Sequence, residues 1–262
     1  MRGRWAAAGI VLLAGCGSQS TGSTGDPDAE LARAIDKTGT LSSGELSFVV
    51  KGGDRSGTYA LAGSAIFDTH DGEAKIDYTL RQLGSAKRPL RFQVRYKHGF
   101  LYQRFPASMA NQLPQGKHWL RFRLGKESGI GRLMKSVFNA ATGGDPLPIT
   151  TAGIRGTKVA GVETVRGDRV THYRLSLPLE TAARYPRDAY SGQLLSVLAM
   201  AGDRLPVDAW VGRDGYLRRI AYDLKAESGG DKIDIGTRID YSGFGRAVAV
   251  SVPPAEETVN AP

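Results

Sequence analysis

Hydrophobic and polar residues alternate along three stretches of this chain, so that every second residue is apolar, apart from Thr237 in the third stretch. A period of two is typical of a half-buried β-strand, which turns one face to a core and the other to water. The apolar positions of the three stretches are Ala74, Ile76, Tyr78 and Leu80; Phe92, Val94 and Tyr96; and Ile233, Ile235, Ile239 and Tyr241.

Short turn signals rich in glycine and aspartate recur between the alternating stretches. They are Gly52-Gly53-Asp54, Asp71-Gly72, His98-Gly99, Gly167-Asp168, Asp214-Gly215 and Gly229-Gly230. Turns at this spacing connect hairpins. The pattern therefore predicts an antiparallel sheet of about ten strands, laid down in chain order.

Four segments depart from the period of two. Pro27–Lys37 predicts a short helix, and Gly129–Thr142 has the i, i+3, i+4, i+7 spacing of an amphipathic helix. Ala189–Ala201 is apolar around most of its circumference, which predicts a helix buried on more than one side. Asp145–Ala152 contains two prolines and predicts a turn or a short helix.

These elements predict an α+β fold in which one large antiparallel sheet carries helices on one face. A sheet of this size curls rather than staying flat. Helices across the curled sheet then enclose an apolar space, and the sequence leaves open whether side chains fill it or a cavity remains.

The N-terminus has a composition of its own. Arg2 and Arg4 precede the ten uncharged residues Trp5–Ala14, a positive start and an apolar run that are typical of a secretory signal. The run is too short to span a membrane as a helix, which takes about 20 residues. Leu13-Ala14-Gly15-Cys16 resembles a bacterial lipobox, at which diacylglycerol is attached to the thiol and the chain is cut before it. An ordinary signal with a chance cysteine is the alternative.

The lipobox divides the chain into four segments. Residues 1–15 are the predicted lipoprotein signal peptide, 16–26 a flexible Ser/Gly/Thr tether that starts at acylated Cys16, 27–254 a single domain and 255–262 a polar tail. Since Cys16 is the single cysteine, the mature protein is expected to contain no disulfide. We expect a protein anchored to the extracytoplasmic face of the cell membrane through diacylglycerol.

The chain is basic, with a formal net charge of +9 and a calculated pI of about 9.7. Loss of the two signal arginines lowers the charge to +7. Outside the membrane the relevant polyanions are lipid headgroups and wall polymers, so nucleic acid is not an expected partner. The basic residues contain no run of five and are interpreted as a solvated surface; they include Arg81, Lys87, Arg88, Arg91, Arg95, Lys97, Arg121, Arg123 and Lys126.

Signals for catalysis are weak throughout the sequence. The four histidines stand far apart without metal-ligand spacing, and no nucleophile elbow, phosphate loop or zinc-protease helix occurs. Gly129-Ile130-Gly131 is a fragment of a phosphate-binding fingerprint that lacks its third glycine. We expect neither an enzyme nor a metal or other cofactor.

Three passages in the second half carry a family resemblance. Leu205–Arg219 and Val159–Leu175 are hairpins, and Tyr241-Ser242-Gly243-Phe244-Gly245 with Val248–Pro254 closes the last long strand. With the lipobox they resemble the actinobacterial LppX/LprG-type lipoproteins, whose fold is similar to the LolA lipoprotein carrier. The resemblance implies a strongly curved antiparallel half-barrel, with helices covering a concave face and an apolar cavity that binds acylated lipids or lipoproteins.

The function expected from this resemblance is binding of an amphipathic lipid or glycolipid, as a carrier or receptor. An envelope sensor that contacts a membrane-protein partner and a structural lipoprotein that binds wall polymer are the alternatives. For each residue of the expected cavity lining, plain core is the alternative. The expected lining residues are Leu133, Val137, Leu194 and Leu198 on helices and Ile76, Tyr78, Phe92 and Val94 on strands.

Overall fold

Twelve β-strands and one α-helix are present in the part of the chain that the computed structural model describes, residues 25–54, 57–84, 88–123, 154–178, 203–228 and 231–261. Helix α1 spans Pro27–Gly39. The strands are β1 Ser43–Asp54, β2 Gly57–Asp68, β3 Glu73–Leu83, β4 Leu90–Lys97, β5 Phe100–Arg104, β6 Trp119–Arg123, β7 Lys158–Val165, β8 Asp168–Pro178, β9 Arg204–Gly212, β10 Leu217–Ser228, β11 Asp231–Ser242 and β12 Thr258–Asn260.

All twelve strands belong to one sheet, in the order β12-β6-β5-β4-β3-β2-β1-β11-β10-β9-β8-β7. Every neighbouring pair is antiparallel except β12 and β6, which are parallel. The order consists of two meanders, β1 to β6 and β7 to β11, joined where β1 pairs with β11. The open, curved sheet confirms the predicted antiparallel architecture, and its shape is consistent with a half-barrel.

The strand number exceeds the expected ten because short segments without a period of two also join the sheet. Strand β12 has three residues and follows a 3₁₀ turn at Ala255–Glu257, within the predicted polar tail. The amide of His118 donates to the carbonyl of Glu257 at 2.8 Å, and the amide of Ala261 donates to the carbonyl of Arg121 at 2.9 Å.

Helix α1 begins at the predicted residue and ends two residues later than expected. Asp26 caps its N-terminus, with the carboxylate accepting from the amide of Asp28 at 3.0 Å. The predicted helices 129–142 and 189–201 and the prolyl segment 145–152 lie outside the described residues, as do the signal segment and Cys16. In the described ranges, no helix is long and apolar enough to cross a membrane.

Alternation along the strands gives the sheet an apolar face and a polar face. Leu46, Ala65, Ile76 and Val94 form one continuous cross-strand row on the apolar face, and each is less than 10% exposed. Residues directly opposite one another share a face, so the core extends as rows from strand to strand. The intervening residues lie on the polar face.

Helix α1 packs on the apolar face over the second meander. Its buried Leu31 joins the core, and three polar contacts fix its position. The carboxylate of Asp28 accepts from the amide of Thr157 at 2.8 Å, the hydroxyl of Tyr173 donates to Glu30 at 2.7 Å, and the amide of Leu217 donates to the hydroxyl of Thr38 at 2.9 Å. Hydrogen bonds from Thr157 hold the pKa of Asp28 below its ordinary value.

Candidate functional site: a cavity over strands β2 to β4

A cavity of about 1250 Å³ lies over β2, β3 and β4, and the segment that follows β5 closes one side of it. Its volume exceeds the roughly 300–1,000 Å³ that is usual for small-molecule pockets. The lining residues whose positions lie on the apolar face are Tyr59, Gly63, Tyr78, Leu80, Gln82, Leu90 and Phe92. These residues make a mainly apolar wall with a hydroxyl and an amide near one end.

Two aromatic rings form the centre of this wall. Tyr78 and Phe92 are directly opposite each other on β3 and β4, and their ring centroids lie 4.8 Å apart with planes 12° from parallel. Burial raises the pKa of the Tyr78 hydroxyl. The hydroxyl therefore stays neutral at physiological pH, which suits an apolar site.

Gly63 on β2 leaves room for this aromatic wall. A β-carbon at Gly63 would stand 2.7 Å from an atom of Phe48 and 2.7 Å from the β-carbon of Tyr78. It would also stand 2.5 Å from the carbonyl oxygen of Asp77. Gly63 is not among the residues expected from the sequence to form a site, although a lone glycine inside a strand is the signal for a close approach of this kind.

The four strand residues that are expected to line a cavity occupy two different places in the structure. Tyr78 and Phe92 line it, whereas Ile76 and Val94 are 4% and 6% exposed and belong to the core row beside it. A period of two identifies the face on which a residue lies and not its position along the strand. The other expected lining residues, Leu133, Val137, Leu194 and Leu198, lie outside the described residues.

A second cavity, of about 650 Å³, lies at the C-terminal end of α1 and has a different lining. The ammonium of Lys37 donates to the carbonyl of Asp214 at 2.7 Å and lies 4.3 Å from the ring centroid of Tyr216. Arg246 also lines this space. Charged groups at the wall make it a poorer site for an acyl chain than the first cavity.

A polar cluster on the opposite face of the sheet links β7, β8 and β9. The buried ring of His172 lies between two carboxylates, 2.8 Å from Glu163 and 2.6 Å from Asp208, and stacks on Trp210 at 4.3 Å. The indole N–H of Trp210 donates to Glu163 at 2.8 Å. Hydrogen bonds from Trp210 and His172 lower the pKa of Glu163.

This cluster is arranged as a cross-strand support. Both ring nitrogens of His172 already have carboxylate partners, so neither is free to bind a metal or to exchange a proton with a substrate. In the part of the chain that the structure describes, no group of three His, Cys, Asp or Glu residues is placed to hold a metal ion. The cavity is therefore the better candidate for the functional site.

Fold and cavity together define a protein class: an open, curved and almost entirely antiparallel sheet whose apolar face borders a large cavity. The sequence matches no protein-family profile and no curated protein. Its likeness to known proteins is a likeness to solved structures.

Two mycobacterial lipoproteins are among the similar structures. LprF from Mycobacterium bovis is 12% identical, with 87% of this chain and 96% of LprF covered at a TM-score of 0.48. The lipoprotein LppX from Mycobacterium tuberculosis is 17% identical, with 86% of this chain and 98% of LppX covered at the same TM-score of 0.48. The Pseudomonas aeruginosa MucA/MucB complex contains a further match, 14% identical over 86% of this chain and 59% of that one, with a TM-score of 0.33.

LppX is one of the two lipoproteins for which the resembled family is named, so the similar solved structures include a member of that family. At these identities and TM-scores the likeness concerns the arrangement of the chain and assigns no ligand to it.

Proposed function

We propose that this chain is a membrane-anchored extracytoplasmic lipoprotein that binds an amphipathic lipid or glycolipid, as a carrier or receptor and without catalysis. The observation that carries the proposal is the cavity of about 1250 Å³ over the stacked rings of Tyr78 and Phe92. Its apolar side walls and its volume suit acyl chains better than a compact polar substrate.

The energetic reason for such a cavity is the cost of exposing acyl chains to water. Each methylene contributes about 0.8 kcal/mol to burial, so one sixteen-carbon chain forfeits about 12 kcal/mol in water. A cavity walled by residues such as Leu80, Leu90 and Phe92 replaces water with apolar contacts along the chain. Such a protein holds a lipid outside a bilayer at a much smaller cost.

The anchor is a second part of the proposal. Acylation of Cys16 supplies at least two acyl chains, which hold a protein firmly on a membrane where one chain holds weakly. The Ser/Gly/Thr segment after Cys16 has the composition of a flexible tether, with a reach of roughly 15–20 Å. We expect Cys16→Ser to leave the precursor uncleaved and without an acyl group, and intact mass spectrometry measures both. A cleaved, acylated Cys16→Ser protein would contradict the anchor.

The experiment that tests lipid binding is native mass spectrometry of the chain from Gly17 onward, secreted by a bacterial host, followed by organic extraction. We expect one lipid per protein to be released on denaturation. Leu80→Trp, which adds volume at the cavity wall, is expected to abolish this occupancy while circular dichroism stays unchanged.

Val162→Trp is the matched control for that experiment. Val162 is 48% exposed on β7 in the second meander, and it is not among the described residues that line the cavity. We expect its lipid occupancy to equal that of the unchanged protein. An empty protein that also takes up no added phospholipid or glycolipid would refute lipid binding. Equal occupancy in Leu80→Trp would refute this cavity as the site.

A further inference from the structure

The stretch of sequence between Asp77 on β3 and Glu127 has charges of one sign only. No Asp or Glu occurs between Asp77 and Glu127, whereas eleven Lys and Arg residues do. Along the sequence these cations stand singly or in pairs, which is why they were interpreted as an ordinary solvated surface. The fold changes that interpretation, because β3, β4, β5 and β6 are neighbours in the sheet.

Strand register places several of these cations on the polar face. Gln93 lies opposite Arg104, and Arg104 lies opposite Trp119, so the three residues share one face. Arg91 and Arg121 stand two residues away from Gln93 and Trp119 on their own strands, and so face the same way. Two further arginines follow the same alternation. We call this surface the cationic face, and it comprises Arg81, Arg91, Arg104, Arg121 and Arg123.

The five arginines of the cationic face lack acidic partners. Among the described residues, none of them lies within ion-pair distance of a carboxylate, and the nearest polar partner of Arg121 is the amide oxygen of Asn260 at 2.7 Å. Other basic residues on this face of the sheet are paired. They are Arg95 with Asp77 and Lys97 with Glu73 in the first meander, and Arg174 with Asp208 and Arg219 with Asp240 in the second. Unpaired like charges repel one another, and an anionic partner relieves that repulsion.

An exposed apolar side chain accompanies the charge. Leu83 lies two residues after Arg81 on β3, on the same face, and is 39% exposed. Arg91 and Arg104 also belong to segments that border the cavity. The register places the five arginines in a diagonal row across β3 to β6, with Leu83 at the β3 end of the row. Arginines in a row with an exposed leucine at one end are the composition of a surface that rests on lipid headgroups.

We propose that the cationic face binds an anionic lipid surface and so holds the first meander against the headgroups. This proposal needs neither the acyl anchor nor a bound lipid in the cavity. A bilayer is favoured over a soluble polyanion as the partner because Leu83 can make apolar contact with lipid. A wall polymer requires no such contact.

The test uses the chain from Gly17 onward, which has neither the acyl group nor the apolar signal segment, so that neither of them contributes to binding. Vesicles of phosphatidylcholine alone are compared in sedimentation with vesicles of equal parts phosphatidylcholine and phosphatidylglycerol. We expect binding to the anionic vesicles only, weakening as salt is raised. Replacing Arg91, Arg104 and Arg123 by Gln together is expected to weaken it about a hundredfold, since each basic residue contributes about a factor of five.

The matched control removes the same charge elsewhere. Arg155, Arg169 and Arg213 are exposed and belong to the second meander or the segments beside it. Changing these three to Gln is expected to leave vesicle binding within a few-fold of the starting protein.

Three outcomes would overturn the proposal. In the first, the two triple variants weaken vesicle binding equally. In the second, the protein binds neutral vesicles as tightly as anionic ones. In the third, soluble polyphosphate binds the protein as tightly as the vesicles do and competes with them. The last would assign the cationic face to a soluble polyanion. Lipid occupancy of the cavity is measured in a separate experiment. A failure of vesicle binding therefore does not refute lipid binding in the cavity, and an empty cavity does not refute vesicle binding.

Discussion

At residue 63 the side chain is a single hydrogen atom, and Phe48 and Tyr78 occupy the space where a larger side chain would stand. Gly63→Ala forces a methyl group against the ring of Phe48, the β-carbon of Tyr78 and the backbone of Asp77. We expect the free energy of unfolding to fall by about 1–3 kcal/mol, the usual cost of overpacking. Urea titration followed by circular dichroism measures it.

Gly52→Ala is the control for that substitution. Gly52 is a mid-strand glycine on β1, and the nearest atom to an added β-carbon is 3.7 Å away, an ordinary contact. Since alanine is favoured over glycine inside a strand by roughly 0.5–1 kcal/mol, the control should be neutral or more stable. Equal losses in both variants would mean that Gly63 has no special role in the aromatic wall.

The Glu163 carboxylate should make the free energy of unfolding fall at acid pH. Hydrogen bonds from Trp210 and His172 hold its pKa below the ordinary value of 4.5 in the folded chain. The contribution of Glu163 to the free energy of unfolding is therefore complete above pH 4.5. It is lost as the pH falls through the lower pKa that this carboxyl has in the folded chain. Glu163→Gln should be less stable than the unchanged protein near neutral pH, and the difference should shrink towards acid.

Urea midpoints measured at a series of pH values test this dependence. Glu256→Gln is the control, because Glu256 is exposed and its carboxylate makes no ion pair with the described residues. The contrary result is a difference in urea midpoint between Glu163→Gln and the unchanged protein that stays constant down to strongly acid pH. That result would contradict the role of the Glu163 carboxylate in the His172 cluster.

At the scale of the element, Thr38 fixes where helix α1 meets the sheet. Its hydroxyl accepts from the amide of Leu217, which is 2% exposed and has little access to water. Thr38→Val keeps the shape and leaves that amide unpaired, so we expect a loss of about 1–3 kcal/mol. Thr40→Val, at the exposed end of the same helix, should cost much less in the same urea titration.

Sequence alone predicted the long strands because their periodicity is local. β3, β4 and β11 contain the alternating stretches, and α1 starts at the proline that signals a first helical turn. Strand β12 escaped prediction, since three residues carry no measurable period and its pairing with β6 depends on a distant part of the chain.

The candidate site was predictable in part for the same reason. Tyr78 and Phe92 share a face with Ile76 and Val94, and alternation alone cannot tell which pair lines a cavity and which pair packs in the core. Gly63 and the cationic face depend on register between strands, which a single sequence does not contain. The cationic residues look scattered until β3 to β6 are placed side by side.

At the scale of the whole molecule, the two meanders differ in the sites and contacts that they contain. The first, β1 to β6, holds the cavity and the cationic face. The second, β7 to β11, holds helix α1, the His172 cluster and ion pairs such as Arg219 with Asp240. The proposed binding surfaces thus lie in the first half of the sheet, whereas ion pairs occur in both halves, since Lys97 pairs with Glu73 and Arg95 with Asp77 in the first.

The pairing of β1 with β11 also governs the order in which the chain folds. Leu46 and Tyr241 are partners although 195 positions separate them, whereas neighbours within each meander are mostly joined by short turns. Closing a long loop costs more entropy and is slower than forming a hairpin. Pulse-labelled hydrogen exchange should find the amides between β1 and β11 protected last, and early protection there would contradict this order.

A nascent chain that ends before β11 therefore carries β1 as an open edge, the kind of edge at which chains associate wrongly. Residues 231–242 close that edge, so protection against misassembly arrives only when the last long strand has been synthesised and has paired with β1, which is the first strand in the chain and lies in the middle of the sheet.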